Sequence, residues 1–131
     1  MSIVSPMNTQ LYNGMWLKLE RFCRGLTEKY KDVYVVSGSL VLAEKSEKDD
    51  KMFVKYEIIG FNTIVPTHYY KIIMALDNVG VYHTRTIMLK NDQVEDAPLD
   101  KFTVDVGMVE ERSGCRFFSH LQNAQIRTLK F

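Results

Sequence analysis

The sequence lacks several features that would place the chain in a specialised class of protein. It has no apolar run approaching the ~20 residues that a membrane-spanning helix needs. Its first residues are typical of neither a signal peptide nor an arginine-rich transit sequence. Only two cysteines are present, Cys23 and Cys115, and their wide separation excludes a disulfide framework and a cysteine-based metal motif.

An excess of charge of either sign is also missing, because 17 basic and 16 acidic residues leave a net charge of +1. Domains that bind nucleic acid are often markedly basic, so composition alone gives no indication of that role. One basic cluster occurs early in the chain, and the sequence leaves open whether it is a solvated helix face or a binding surface. Its members are Lys18, Arg21, Arg24, Lys29 and Lys31.

What is present is the composition of one globular domain spanning residues 1–131, with 46% hydrophobic and 25% charged residues. Apolar residues at steps of three and four predict a helix from Asn13 to Tyr30, with Asn13 as its N-cap. The stripe would bury Trp16 and Cys23 in the core. Its members are Met15, Trp16, Leu19, Phe22, Cys23 and Leu26.

The rest of the chain is rich in predicted strands, and a turn at residues 77–80 predicts one hairpin. A short helix is predicted from Asp105 to Arg112, with Gly114 as a left-handed cap. These elements predict an α+β fold with a mostly antiparallel sheet and a long N-terminal helix. The predicted strands are Val33–Ser37 ended by Gly38, Met52–Ile59 closed by residues 60–62, Thr67–Leu76, Val81–Leu89 and Arg116–Phe118.

Several stretches of the sequence together carry a family resemblance. They are Ser5-Pro6 followed by the segment Trp16 to Arg24, Val33 to Ser39, Val54 to Gly60, Val65 to Lys71 and Glu111 to Gly114. These stretches resemble the DNA/RNA non-specific endonucleases of the endonuclease G-like type, and they cover almost the whole chain in that family's order. The resemblance implies the C-terminal part of an incomplete ββα-metal nuclease fold.

The family's catalytic motif, Asp-Arg-Gly-His, occurs nowhere in this sequence. The motif normally precedes the metal-binding helix, whereas His68, His83 and His120 all follow it. A general base must lie within hydrogen-bonding reach of the proton that it takes. We therefore expect this chain alone to be inactive, and an active parent protein would carry the motif before Met1. We expect His68 to be a structural histidine.

The resemblance also implies a Mg²⁺ site on the helix, formed by an Asn and by a Glu eight residues later that acts through water. Glu20 occupies the Glu position, but Tyr12 stands where the Asn belongs. A neutral phenol is a poor Mg²⁺ ligand. In a regular helix Asn13 would return to within roughly 20° of the direction of Glu20, so Asn13 is either a replacement ligand or only a cap.

The resemblance further implies that Arg24 contacts phosphate and that Arg21 and Arg24 bind DNA and RNA. An ion pair between Glu20 and Arg24 on the helix surface is the competing interpretation of both residues. The family also implies a mitochondrial location and a homodimer. The alternative function is a non-catalytic module that binds nucleic acid or a partner, such as an intact relative.

Overall fold

A long helical segment packs on a four-stranded sheet, and the fold is α+β with a mostly antiparallel sheet, as predicted. The computed structural model describes residues 2–3, 7–45, 51–54, 57–59, 63–117 and 126–131. Ser5-Pro6, His120 and the predicted strand end at residues 60–62 lie outside this range. No helix in the described part of the chain is long and apolar enough to cross a membrane.

The helical segment begins earlier than predicted, and Asn13 is not its cap. It consists of α1 (Thr9–Leu11), a π-helical turn (Tyr12–Trp16) and α2 (Leu17–Leu26). The Oδ1 atom of Asn8 accepts hydrogen bonds from the backbone N–H groups of Gln10 and Leu11, at 2.9 and 3.1 Å. Asn8 is therefore the N-cap, and Asn13 lies inside the helical segment.

The π-helical turn contains Gly14, whose φ of −107° and ψ of −109° are not helical. The turn interrupts the regular winding between Asn13 and Glu20. The expectation that these two residues share a face assumed a continuous α-helix, so that geometric argument does not hold here. The predicted end at Tyr30 is also too late, since α2 ends at Leu26.

The main sheet contains β2 (Asp32–Leu40), β7 (His68–Leu76), β8 (Tyr82–Lys90) and β9 (Ile126–Thr128), in that order. The two longest pairings are antiparallel, and β9 joins β8 in parallel. The predicted β7–β8 hairpin is confirmed, with β7 as a central strand and Gly80 at φ 87° in its turn.

Gly38 does not end β2, contrary to the sequence prediction, because the strand continues to Leu40. A Cβ atom at this position would lie 2.3 Å from the ring of Tyr70, which stands opposite Gly38 on β7. The glycine therefore allows a close approach of the Tyr70 ring within a continuous strand.

Short strands form two smaller sheets. β1 (Ser2–Ile3) pairs with β6 (Thr63–Val65), which pairs with β5 (Glu57–Ile59). β3 (Ala43–Lys45) pairs with β4 (Met52–Val54). The single strand predicted from Met52 to Ile59 is therefore wrong, because its two halves belong to different sheets. The strand predicted at Arg116–Phe118 is also wrong for Arg116 and Phe117, and Phe118 lies outside the described residues.

The two faces of the main sheet are covered by different helices. The second helix, α3 (Val106–Ser113), is confirmed, with Asp105 as its N-cap and Gly114 at φ 73° as its left-handed cap. α2 packs on one face through a large apolar cluster, and Val109 of α3 packs on the other face against Leu40. A 3-10 turn at Leu99–Phe102 precedes α3. The larger cluster contains Leu11, Met15, Trp16, Leu19, Cys23, Leu26, Tyr69, Ile73, Ala75, Ile87, Leu89, Leu99 and Leu129.

Candidate functional site

Glu20 lies at the centre of a charged cluster between α2 and the main sheet. Its Oε1 atom accepts a hydrogen bond of 3.0 Å from the indole Nε1–H of Trp16. The same oxygen lies 4.0 Å from Nζ of Lys71, and Oε2 lies 3.7 Å from Nη2 of Arg24. The predicted pair between Glu20 and Arg24 is thus present, but it is one of several contacts that hold this carboxylate.

Lys71 is the member of the cluster that the sequence reasoning missed. Its Nζ donates a 2.8 Å hydrogen bond to Oγ of Ser37, the residue opposite it on β2. It also lies 4.3 Å from the centre of the Trp16 ring, a cation–π distance. Lys71 is only 6% exposed. A single lysine inside the apolar stretch from Tyr69 to Leu76 was the signal that could have identified it.

Burial shifts the protonation equilibria on this face of α2. It lowers the pKa of Lys71, while the nearby Cys23 thiol and Glu20 carboxylate act in the opposite direction. Burial raises the pKa of Cys23 to about 11, against an opposing effect of the Lys71 charge. Cys23 is therefore a buried neutral thiol in the core, as the sequence predicted.

The two arginines of the predicted nucleic-acid contact lie on exposed parts of α2. Arg21 is exposed, and the Arg24 side chain is 74% exposed although it contacts Glu20. Trp16, Glu20 and Arg24 follow at steps of four residues, which places them along one side of the helix. Lys18 instead pairs with Asp96 at 3.1 Å, so this member of the basic cluster is engaged with the loop after β8.

A cleft of about 320 Å³ opens beside the Glu20 cluster. Tyr12 at its edge is 55% exposed, whereas Trp16 and Tyr69 are buried and pack edge to face. The helical segment and strands β2 and β7 therefore share this cleft. Its lining residues are Met7, Tyr12, Trp16, Ser37, Gly38, Ser39 and Tyr69.

The residues present fit a Mg²⁺ ion poorly. Over the described part of the chain, no group of three or more His, Cys, Asp or Glu residues is arranged to hold a metal ion. Glu20 already receives the indole N–H and lies beside two cations, and Tyr12 offers a phenol in place of an amide oxygen. Hard carboxylate and amide oxygens, which Mg²⁺ prefers, are thus scarce here.

The two histidines in the described part of the chain form hydrogen bonds with residues other than Glu20. The His68 Nδ1 atom is hydrogen-bonded to Oγ1 of Thr67 at 2.8 Å, which agrees with the expected structural role. The His83 Nε2 atom donates to Oδ2 of Asp77 at 3.0 Å, because the β7–β8 hairpin brings the two together.

The chain thus presents a helix with a charged cluster packed against a mostly antiparallel sheet. The family model described as DNA/RNA non-specific endonuclease matches residues 4–124. The chain therefore belongs to the DNA/RNA non-specific endonuclease family, which in general consists of metal-dependent nucleases.

Individual relatives agree with this membership. Mitochondrial endonuclease G of Homo sapiens is 37% identical over 123 residues, which cover 92% of this chain and 41% of that protein. Nuclease C1 of Cunninghamella echinulata is 40% identical over 123 residues, covering 90% and 48%. The mitochondrial nuclease EXOG of Danio rerio is 37% identical over 136 residues, covering 98% and 38%.

A solved structure also matches the fold. It is a crystal structure of an EndoG/EndoGI complex that concerns the mechanism of EndoG inhibition, and it aligns with a TM-score of 0.79 at 38% identity. The alignment covers 89% of this chain and 49% of that one. The chain thus spans about half or less of the length of the proteins that it matches.

Proposed function

We propose that these 131 residues bind nucleic acid through the exposed side of α2 without hydrolysing it. The observation that carries the proposal is Tyr12, which stands at the position of the family's amide ligand. The Glu20 carboxylate on the same helical segment is held by the Trp16 indole N–H, Lys71 and Arg24. The helix thus keeps its cationic side chains while one of its metal-ligand positions holds a phenol.

The absence of the Asp-Arg-Gly-His motif supports the non-catalytic part of the proposal. The chain has no histidine at the motif position that could take a proton from water. We therefore propose that these residues do not hold the family's Mg²⁺, either by Glu20 through water or by Asn13. The second candidate function, which family membership favours, is nuclease activity in a longer protein that supplies the motif.

The binding part of the proposal rests on charge placement. One guanidinium nitrogen of Arg24 contacts the Glu20 carboxylate and offsets its charge. Most of the Arg24 side chain nevertheless faces solvent. Arg21 lies three residues before Arg24 on the same helix and is also exposed. A planar guanidinium presents its N–H donors in a rigid fork that matches two phosphate oxygens, whereas a lysine ammonium acts as a point charge. DNA and RNA both offer this contact, so the proposed ligand is a nucleic-acid backbone of either type.

Two further expectations come from the relatives. The names of several of them place those proteins in mitochondria, and we propose the same location for this chain. We also propose assembly as a homodimer, or as a heterodimer with an intact relative, on the basis of the family resemblance.

Native-gel retention of labelled DNA at low salt tests the binding proposal. The wild-type chain should retain DNA, and the double variant Arg21→Ala/Arg24→Ala should lose retention. The slope of log affinity against log salt should become shallower by about 2 if each arginine neutralises one phosphate. The matched control is Arg112→Ala/Arg116→Ala, which removes the same charge from exposed residues at α3 and just beyond it.

The control variant should retain DNA as the wild type does. Failure of the wild-type chain to retain DNA would overturn the proposed function. Equal loss in the two double variants would show that only net charge matters, and this result would overturn the assignment to α2.

A further inference from the structure

We propose that the cleft beside Tyr12 binds one unstacked base of a single-stranded nucleic acid, with the Tyr12 ring as its stacking surface. This inference rests on the proposed nucleic-acid binding and adds to it a base site and a strand preference. Tyr12 is 55% exposed at the edge of a cleft of about 320 Å³. The residue that replaces a metal ligand thus presents an accessible aromatic face.

The walls of the cleft suit a flat aromatic ligand with polar edges. Trp16 and Tyr69 lie against each other at 5.8 Å between ring centres and are themselves buried, so Tyr12 supplies the accessible ring. Ser37 and Ser39 are two apart on β2, so their side chains point to the same face of the sheet. Ser37 accepts from Lys71, and its own O–H remains able to donate to a base edge.

Charge beside the cleft permits a polyanion to approach. Glu20 would repel phosphate, but Lys71 and Arg24 both contact its carboxylate and offset its charge. Arg24 lies twelve residues beyond Tyr12, roughly 18 Å along the helical segment. A single strand with one base beside Tyr12 could therefore place a phosphate a few nucleotides further along at Arg24.

A single strand fits this arrangement better than a duplex. Bases in a duplex are stacked on each other and cannot enter a cleft without being extruded, which opposes binding. In single strands the bases are free to stack on protein aromatic rings, and such stacking tolerates any base because each has a π-face. An exposed tyrosine together with cations along the path of the nucleic-acid backbone is typical of proteins that bind single strands.

Trp16 provides the measurement, because it is the only tryptophan of the chain and lines the cleft. Titration with an oligothymidine of ten nucleotides should quench its fluorescence in a saturable way, and a blunt duplex of the same length should bind more weakly. Tyr12→Ala should weaken binding of the oligothymidine by roughly 5- to 150-fold, the range found when a stacking residue is removed. Tyr12→Phe keeps the ring and should bind within about twofold of wild type.

Tyr34→Ala is the matched control. Tyr34 is 51% exposed on β2, but it points to the opposite face of the sheet from Ser37. This variant should bind oligothymidine as the wild type does, and thermal melting should establish that each variant is folded.

Equal affinities of Tyr12→Ala and the wild type would overturn the base site, and equal binding of duplex and single strand would overturn the strand preference. In either case, loss of retention in the Arg21→Ala/Arg24→Ala variant would still support the proposed function. Absence of any binding by the wild-type chain would overturn both.

Discussion

At the scale of single residues, the two cysteines differ in burial, and we expect their thiols to differ in reactivity. Cys23 lies under α2 with its pKa raised to about 11, whereas Cys115 is exposed after α3. Because the thiolate is the reactive form, iodoacetamide at pH 8 should label one thiol per folded chain, at Cys115. A Cys115→Ser variant should stay unlabelled until denaturant is added, as followed by mass spectrometry. Rapid labelling of folded Cys115→Ser would contradict the placement of Cys23.

Asp77 at the β7–β8 turn should make stability depend on pH in the acid range. The hydrogen bond from His83 lowers the pKa of its carboxyl below the ordinary 3.8, and the backbone N–H groups of Val81 and Val79 act in the same direction. A carboxylate with a lowered folded-state pKa stabilises the fold above its unfolded pKa and loses this effect as pH falls through the folded value. The contribution should thus be complete at pH 5 and much reduced at pH 3.

Urea unfolding of the wild type and Asp77→Asn at both pH values measures this effect. The amide oxygen of Asn can still accept the two backbone N–H groups, so the variant removes mainly the charge. The wild type should exceed the variant in free energy of unfolding at pH 5 by more than at pH 3. A difference that does not change with pH would contradict the role of the carboxylate.

At the scale of elements, the start of the helical segment gives a direct comparison between two asparagines. Asn8→Ala removes an acceptor of two backbone N–H groups and should lower the free energy of unfolding by about 1 kcal/mol. Asn13 is exposed inside the segment, and Asn13→Ala should change stability by less than about 0.5 kcal/mol. Denaturant unfolding of both variants measures this, and a larger loss in Asn13→Ala would contradict the assigned cap.

Elements with strong local signals could be predicted from the sequence. The β7–β8 hairpin followed from two apolar runs around Asp77-Asn78-Val79-Gly80, and α3 followed from the stretch that begins at Asp105 and ends at Ser113-Gly114. The π-helical turn and the division of residues 52–59 between two sheets carry no such local signal. Residues 52–54 pair with the strand before them and residues 57–59 pair with the strand after them, and an alternating pattern does not report which partner a strand takes.

The same distinction applies to the candidate site. Glu20 and Arg24 could be selected from family resemblance and helical spacing, and their contact is present at 3.7 Å. Lys71 meets Glu20 only because β7 packs under α2, some fifty positions later in the sequence. The pairing of Lys71 with Ser37 likewise depends on the register of β2 and β7. Tertiary packing therefore determines how the Glu20 carboxylate is held.

At the scale of the whole molecule, the fold matches the nuclease family whereas the residues expected for catalysis do not. The fold aligns with an EndoG structure, yet the sequence contains no Asp-Arg-Gly-His motif and carries Tyr12 at an expected ligand position. Edge strand β2 exposes Tyr34, Val35 and Val36. Within the described residues β2 has a strand partner on one side only, and an edge of this kind favours pairing with another strand, so the oligomeric state should be measured alongside activity.

The most direct test of the central claim is incubation of the purified chain with supercoiled plasmid and Mg²⁺. We expect the supercoiled band to persist as in the protein-free sample, for the wild type and for Glu20→Ala alike. Conversion to nicked or linear DNA that requires Mg²⁺ and is lost in Glu20→Ala would contradict the account, because it would show that this chain holds a working metal site.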